Sequence, residues 1–287
     1  MLTYFANIFV TVLLLGSFLV WLSVVMRLRE CQPPLAYFER TTHALDPTSV
    51  LMILLLWLAI PILIGRVLSV PTEASLLGVQ VSCLSSGLWL FLVGVILVTN
   101  RRHGKMDFGI DLSDWKQQLI VAVLGFLASV VPVGLVQLLT IISGIRHPDQ
   151  MHSYLSLLKE YPGATTFIWI GVAVVVVAPL AEEFMFRVIL QGWLQTRLSA
   201  GQAIMIVALL FSGVHQWPDP LPLLPLALIL GYIYYRRHSL LTVYVLHALF
   251  NLSNLAIALL KLPEDNSGIS GAVKKILSLI DDAYFCL

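Results

Sequence analysis

Phe167-Ile-Trp-Ile-Gly-Val-Ala-Val-Val-Val-Val-Ala-Pro-Leu-Ala181 runs directly into Glu182-Glu183-Phe-Met-Phe-Arg187 and then resumes as Val188-Ile-Leu-Gln-Gly-Trp-Leu194. A helix needs about 20 mostly apolar residues to cross hydrocarbon, so two readings compete. In one, the span ends near Leu180 and the three charges form a solvated helix end at the interface. In the other, the helix continues to the turn signal Leu198-Ser-Ala-Gly201 and holds both carboxylates near its middle. An ionisable side chain at that depth costs at least ~2.5–3.5 kcal/mol, so a pair there needs a reason. Glu183 and Arg187 stand at i,i+4, the helical spacing that joins opposite charges. Arg187 neutralises one carboxylate and leaves the other to act.

Composition sets the solvent. Of 287 residues, 59% are apolar and 11% are charged, against roughly 25% charged in a soluble domain. That excludes a water-soluble globule and a disordered chain. A net charge of +1 leaves no basic footprint for nucleic acid. Cys31, Cys83 and Cys286 have neither disulfide-framework nor metal-site spacing.

Eight apolar segments emerge: Tyr4–Met26, Val50–Val70, Leu76–Val98, Leu119–Ile142, Thr166 to about Arg197, Ala203–Gln216, Leu221–Tyr235 and Leu241–Leu260. The fold class is an all-α polytopic transmembrane bundle of about eight spans. Residues 1–118 hold three helices and a loop, 119–262 the catalytic core, and 263–287 a short amphipathic helix. The first segment reads as a retained anchor, because Arg27 and Arg29 follow it and no basic residue precedes it. Sorting Lys and Arg by side gives eleven against six, which places both termini outside. Asp111-Leu-Ser-Asp114 offers capping residues ahead of the fourth segment. The link Trp217-Pro-Asp-Pro-Leu-Pro222 joins two short segments and is expected to dip inward, where irregular backbone lines a wet cavity.

Depth sorts the ionisable groups. Fourteen of the sixteen acids lie in loops or tails, and the exceptions are Glu182 and Glu183. Among the histidines, only His215 and His247 sit inside apolar runs, and His247 shares a helix face with Asn251 at i,i+4. Counting at 1.5 Å per residue from the turn near Ala200 places Glu182 roughly 27 Å and His215 roughly 23 Å deep, with His247 roughly 15 Å from Arg237. Two carboxylates, two imidazoles, an amide and an arginine near one level are the parts of a hydrolytic site: a carboxylate and a histidine take a proton from water, and His247 with Asn251 faces the oxyanion. Amide hydrolysis inside a membrane is the reaction class that fits. The chain lacks a His-Glu-x-x-His zinc motif, a Gly-x-Ser-Gly nucleophile and an intramembrane Asp pair.

Three ordered motifs complete the reading. Glu182-Glu183-Phe184-Met185-Phe186-Arg187, Phe211-Ser212-Gly213-Val214-His215 and His247-Ala248-Leu249-Phe250-Asn251 resemble the Glu-Glu-x-x-x-Arg, Phe-x-x-x-His and His-x-x-x-Asn motifs of the CAAX-protease and bacteriocin-processing (CPBP, or Abi) family of intramembrane endopeptidases, which includes the type II CAAX prenyl endopeptidases. The resemblance covers roughly Pro179 to Asn251. It implies that Glu182 is the general base acting with His215, that His247 and Asn251 form the oxyanion site, that Glu183 supports through Arg187, and that Phe211 packs. The family is described both as metalloproteases and as metal-free glutamate enzymes, so the cofactor is zinc or none, with Glu182, His215 and His247 as the ligands of any metal. The implied partners are a membrane-associated peptide or protein substrate and the bilayer, without nucleic acid. The style of sequence points to a bacterial inner membrane. The alternative is a non-proteolytic membrane protein, a proton-coupled transporter or an immunity or binding protein, using the same Glu–Arg–His cluster.

Overall fold

The computed structural model describes residues 2–38, 45–71, 74–99, 109, 112, 114–145 and 153–260. All regular elements among them are helical: α1 (Leu2–Arg29), α2 (Pro47–Val67), α3 (Leu76–Thr99), α4 (Trp115–Ile142), α5 (Ser153–Glu160), α6 (Ala164–Leu194), α7 (Ala200–Gly213), α8 (Pro220–Arg237) and α9 (Leu240–Leu260). Each of the eight apolar segments is a helix, and α5 is an additional short one. Six helices, α1 to α4, α6 and α9, are long and apolar enough to cross a membrane. The expected tail helix lies outside the described residues.

Local signals explain the ends. Asp46 caps α2: its carboxylate accepts from the Ser49 amide at 2.9 Å and the Ser49 hydroxyl at 2.6 Å, and also from the Thr48 hydroxyl. Those bonds, the Ser49 hydroxyl first, hold the Asp46 carboxyl well below the usual carboxylate range. Ser199 and Gln202 form a reciprocal capping box at α7, just past the turn at which α6 ends. Asp114 precedes α4 but its side chain makes no cap bond, while Asp111 lies outside the described residues.

Lipid as solvent shows in α1, where only 6% of the most apolar window is buried. It is held to α4 by polar contacts. Pro132 inside α4 lacks the N–H that would bond the Ala128 carbonyl four residues back, and Trp21 Nε1 of α1 donates to that oxygen at 2.9 Å. In hydrocarbon an unpaired carbonyl has no water to turn to, so a neighbouring helix must satisfy it. Trp21→Phe is therefore expected to destabilise the bundle by about 1–3 kcal/mol. Trp21→Phe combined with Pro132→Ala is expected to cost less, because an alanine in place of the proline restores an amide donor; equal melting curves for wild type and Trp21→Phe in detergent would refute this.

Around this pair the bundle closes. Gly125 lets α4 approach α8 and α9, where a Cβ would collide with the terminal methyls of Ile233 and Leu246. Residues from α2, α3, α4, α6, α7, α8 and α9 share one apolar core. Arg236 at the end of α8 donates to the Leu35 carbonyl, and the Phe38 amide returns a bond to Arg236 O at 3.0 Å. These contacts tie the segment that follows α1 to the C-terminal end of α8.

Candidate active site

The 31-residue helix α6 runs through the charged hexapeptide without a break. Its hydrogen bonding widens to the π pattern at Val172–Val177 and again at Phe184–Gln191, with Glu182 and Glu183 in the α-helical stretch between. Pro179 gives a reason for the first widening. The Ala178 amide bonds Ala173 O, five residues back, and in that register the donor for Val174 O would be residue 179, which has no N–H. Asn251 Nδ2 of α9 donates to the Val174 carbonyl instead, at 2.8 Å. The third motif is thereby pinned to the helix that carries the first.

Glu183 is fully buried and both of its oxygens are engaged: Oε2 accepts from Arg187 Nε at 3.0 Å and Oε1 from His247 Nδ1 at 2.8 Å. Burial of both Glu183 and Arg187 settles the opening question, because neither charge sits at a solvated helix end. Glu182 is different. Its side chain is 21% exposed, and Oε2 faces His247 Nε2 at 3.9 Å, too far for a direct hydrogen bond. Since the Glu183 carboxylate can only accept, Nδ1 of His247 carries a proton, and Nε2 is the ring atom turned toward Glu182.

His215 lies just past α7, where the last carbonyls of the helix need partners. Its Nδ1 bonds Phe211 O at 2.8 Å, which leaves Nε2 as the acceptor. Phe211 is buried between the motifs: its ring centroid is 5.1 Å from that of His215, 5.7 Å from His247 and 5.2 Å from Phe186, and the Arg187 guanidinium carbon lies 5.1 Å from it. Glu182, Glu183, Arg187 and His247 are thus joined by direct contacts, His215 approaches them across the Phe211 ring, and Asn251 ties α9 to α6 at Val174 O. On the far side of α6, Trp57 and Trp89 from α2 and α3 pack edge-on against Phe186 and Phe184.

Other participants were not apparent from the sequence. Tyr154 of α5 packs against the cluster of Val79, Leu157, Leu158, Ile170 and Ala173. Burial pushes its phenol up, with Cys83 and Glu182 acting in the same direction. Gln191 of α6 is fully buried and donates to Gly231 O of α8 at 2.8 Å. Neither belongs to a motif, and no spacing rule marks them.

A zinc ion needs about four donors close together. Among the described residues no three of His, Cys, Asp and Glu are gathered in that way, so Glu182, His215 and His247 do not fit the ion as placed. No step of the chemistry proposed for this site runs through a metal.

Fold and site define the class: a polytopic helical membrane protein with a Glu–Arg–His cluster enclosed by its helices. Residues 164–253, which contain every motif side chain, match the family described as Type II CAAX prenyl endopeptidase Rce1-like, in agreement with the resemblance carried by the three motifs. The match spans just under a third of the chain. No curated protein and no solved structure matches. The matched segment is thus similar to that of the type II CAAX prenyl endopeptidases.

Proposed function

We propose that this protein is an intramembrane endopeptidase that hydrolyses a peptide bond near or within the bilayer, of CAAX or leader-peptide type, with water activated by Glu182 and its histidines. The observation that carries the reading is the asymmetry of the two adjacent carboxylates. Glu183 spends both oxygens on Arg187 and His247, whereas Glu182 faces the site with 21% exposure beside His247 Nε2. A water between Glu182 and Nε2 of His215 donates to both and presents its oxygen to a substrate carbonyl carbon. Glu182 takes the water proton as the C–O bond forms, and returns it to the amide nitrogen as the C–N bond breaks.

His215 supports this step through its free Nε2. The oxyanion is faced by His247, which carries a proton on each ring nitrogen throughout, Nδ1–H held by Glu183 and Nε2–H donating to the oxyanion, and by the second N–H of Asn251, whose first is committed to Val174 O. The substrate is a membrane-associated peptide or protein, and the setting is a bacterial inner membrane.

The test is a cleavage assay on a library of membrane peptides with the reconstituted protein. His215→Ala is expected to lower turnover about 10²–10⁴-fold, the range of a lost acid–base partner, with an unchanged melting temperature. Cleavage at the wild-type rate in that variant would remove His215 from the site.

A further inference from the structure

Arg187 is fully buried, yet only part of its guanidinium is matched. Nε bonds Glu183, while Nη1 and Nη2 are buried with no hydrogen-bond partner among the described residues. One helical turn later, Gln191 donates through Nε2 to Gly231 O at 2.8 Å. Only the NH2 of an amide can donate to a carbonyl, so this bond fixes which way the amide points. Its Oε1 is also buried and without a partner.

The unmatched donor and the unmatched acceptor meet the same notch in α8. A Cβ on Gly231 would stand 3.2 Å from Gln191 Oε1, 3.6 Å from Arg187 Nη1 and 3.0 Å from Ile204 Cγ2. Glycine at this position thus gives both polar groups room beside the α8 backbone. Buried donors and acceptors left unpaired are costly in a low-dielectric interior, and Nη1 and Oε1 are a complementary donor and acceptor bordering this one notch.

We propose that Gln191 is a positioning residue: anchored on Gly231, it holds the Arg187 guanidinium, and through it Glu183 and His247, in the geometry the site requires. Its effect on turnover rests on the endopeptidase reading; its effect on Arg187 does not. Two variants separate positioning from a simple helix strap. Gln191→Leu removes both the acceptor and the donor, whereas Gln191→Glu keeps an acceptor toward Arg187 and loses the donor to Gly231.

The measurement is the side-chain nitrogen–proton NMR spectrum of Arg187 in the full-length protein in nanodiscs, paired with steady-state kinetics. With Gln191→Leu the Arg187 Nη signals are expected to collapse to a rotationally averaged pair and kcat to fall about 100-fold, the scale of a small misplacement at a reacting centre, at constant KM. With Gln191→Glu the signals are expected to stay resolved and most of kcat to return. Unchanged Arg187 signals in Gln191→Leu overturn the proposal, and so do equal losses of kcat in both variants, the mark of a strap alone. A wild-type protein that cleaves no peptide would instead overturn the endopeptidase reading, with the Arg187 spectrum still deciding the role of Gln191.

Discussion

Glu182→Gln is expected to abolish peptide cleavage, lowering turnover at least about 10²–10⁴-fold, without unfolding the bundle. The amide has nearly the volume of the carboxylate and cannot take a proton from water at neutral pH. Little of the structure depends on this side chain: the ring nitrogen facing it, His247 Nε2, is 3.9 Å away, and it is the more exposed of the two glutamates. Turnover of reconstituted protein, read beside its melting curve, checks both halves of the expectation. A Glu182→Gln enzyme retaining more than a tenth of wild-type activity would rule Glu182 out as the base. His215→Ala belongs to the same series, and comparable losses in the two variants are expected if both act on one water.

Arg187→Met carries the largest expected effect on stability. Removing one partner of a buried ion pair costs about 3–5 kcal/mol, because the charge left behind has no solvent. Glu183 has no exposure, and loss of its bond to Arg187 Nε leaves His247 Nδ1 as its remaining partner. Replacing both members, as in Glu183→Leu with Arg187→Met, is expected to recover most of the stability, since no lone charge remains. That double variant is expected to stay inactive, with His247 no longer held at Nδ1. Reversible unfolding in bicelles measures the two costs. A loss below about 1 kcal/mol for Arg187→Met alone would contradict the enclosed pair.

Much of this was legible in the chain. The spans were readable because a membrane helix satisfies its backbone internally and shows its length as an apolar run. Trp115–Ile142 and Leu240–Leu260 differ from the expected segments by a few residues at most. The cluster was readable because carboxylates are rare at depth, so Glu182 and Glu183 stood out, and helical spacing linked Glu183 to Arg187 and His247 to Asn251. Three features were not readable. The acceptor of Asn251 is the backbone oxygen of Val174, exposed by a proline 72 residues before Asn251 in the chain. Gln191 looks like any polar residue near a helix end until α8 packs on it. Tyr154 sits in a short helix outside every apolar run.

Sequence alone thus determined that the chain lives in lipid, where its helices run, and which few polar side chains lie at depth; these follow from local composition and the 3.6-residue period. Helical spacing already joined Glu183 to Arg187, but only the tertiary structure decided that its second oxygen goes to His247, because that partner comes from a helix 64 residues away in the chain. The difference between the two glutamates arises where α6 meets α9: the face turned to His247 and Arg187 consumes both oxygens of Glu183 and leaves Glu182 partly exposed.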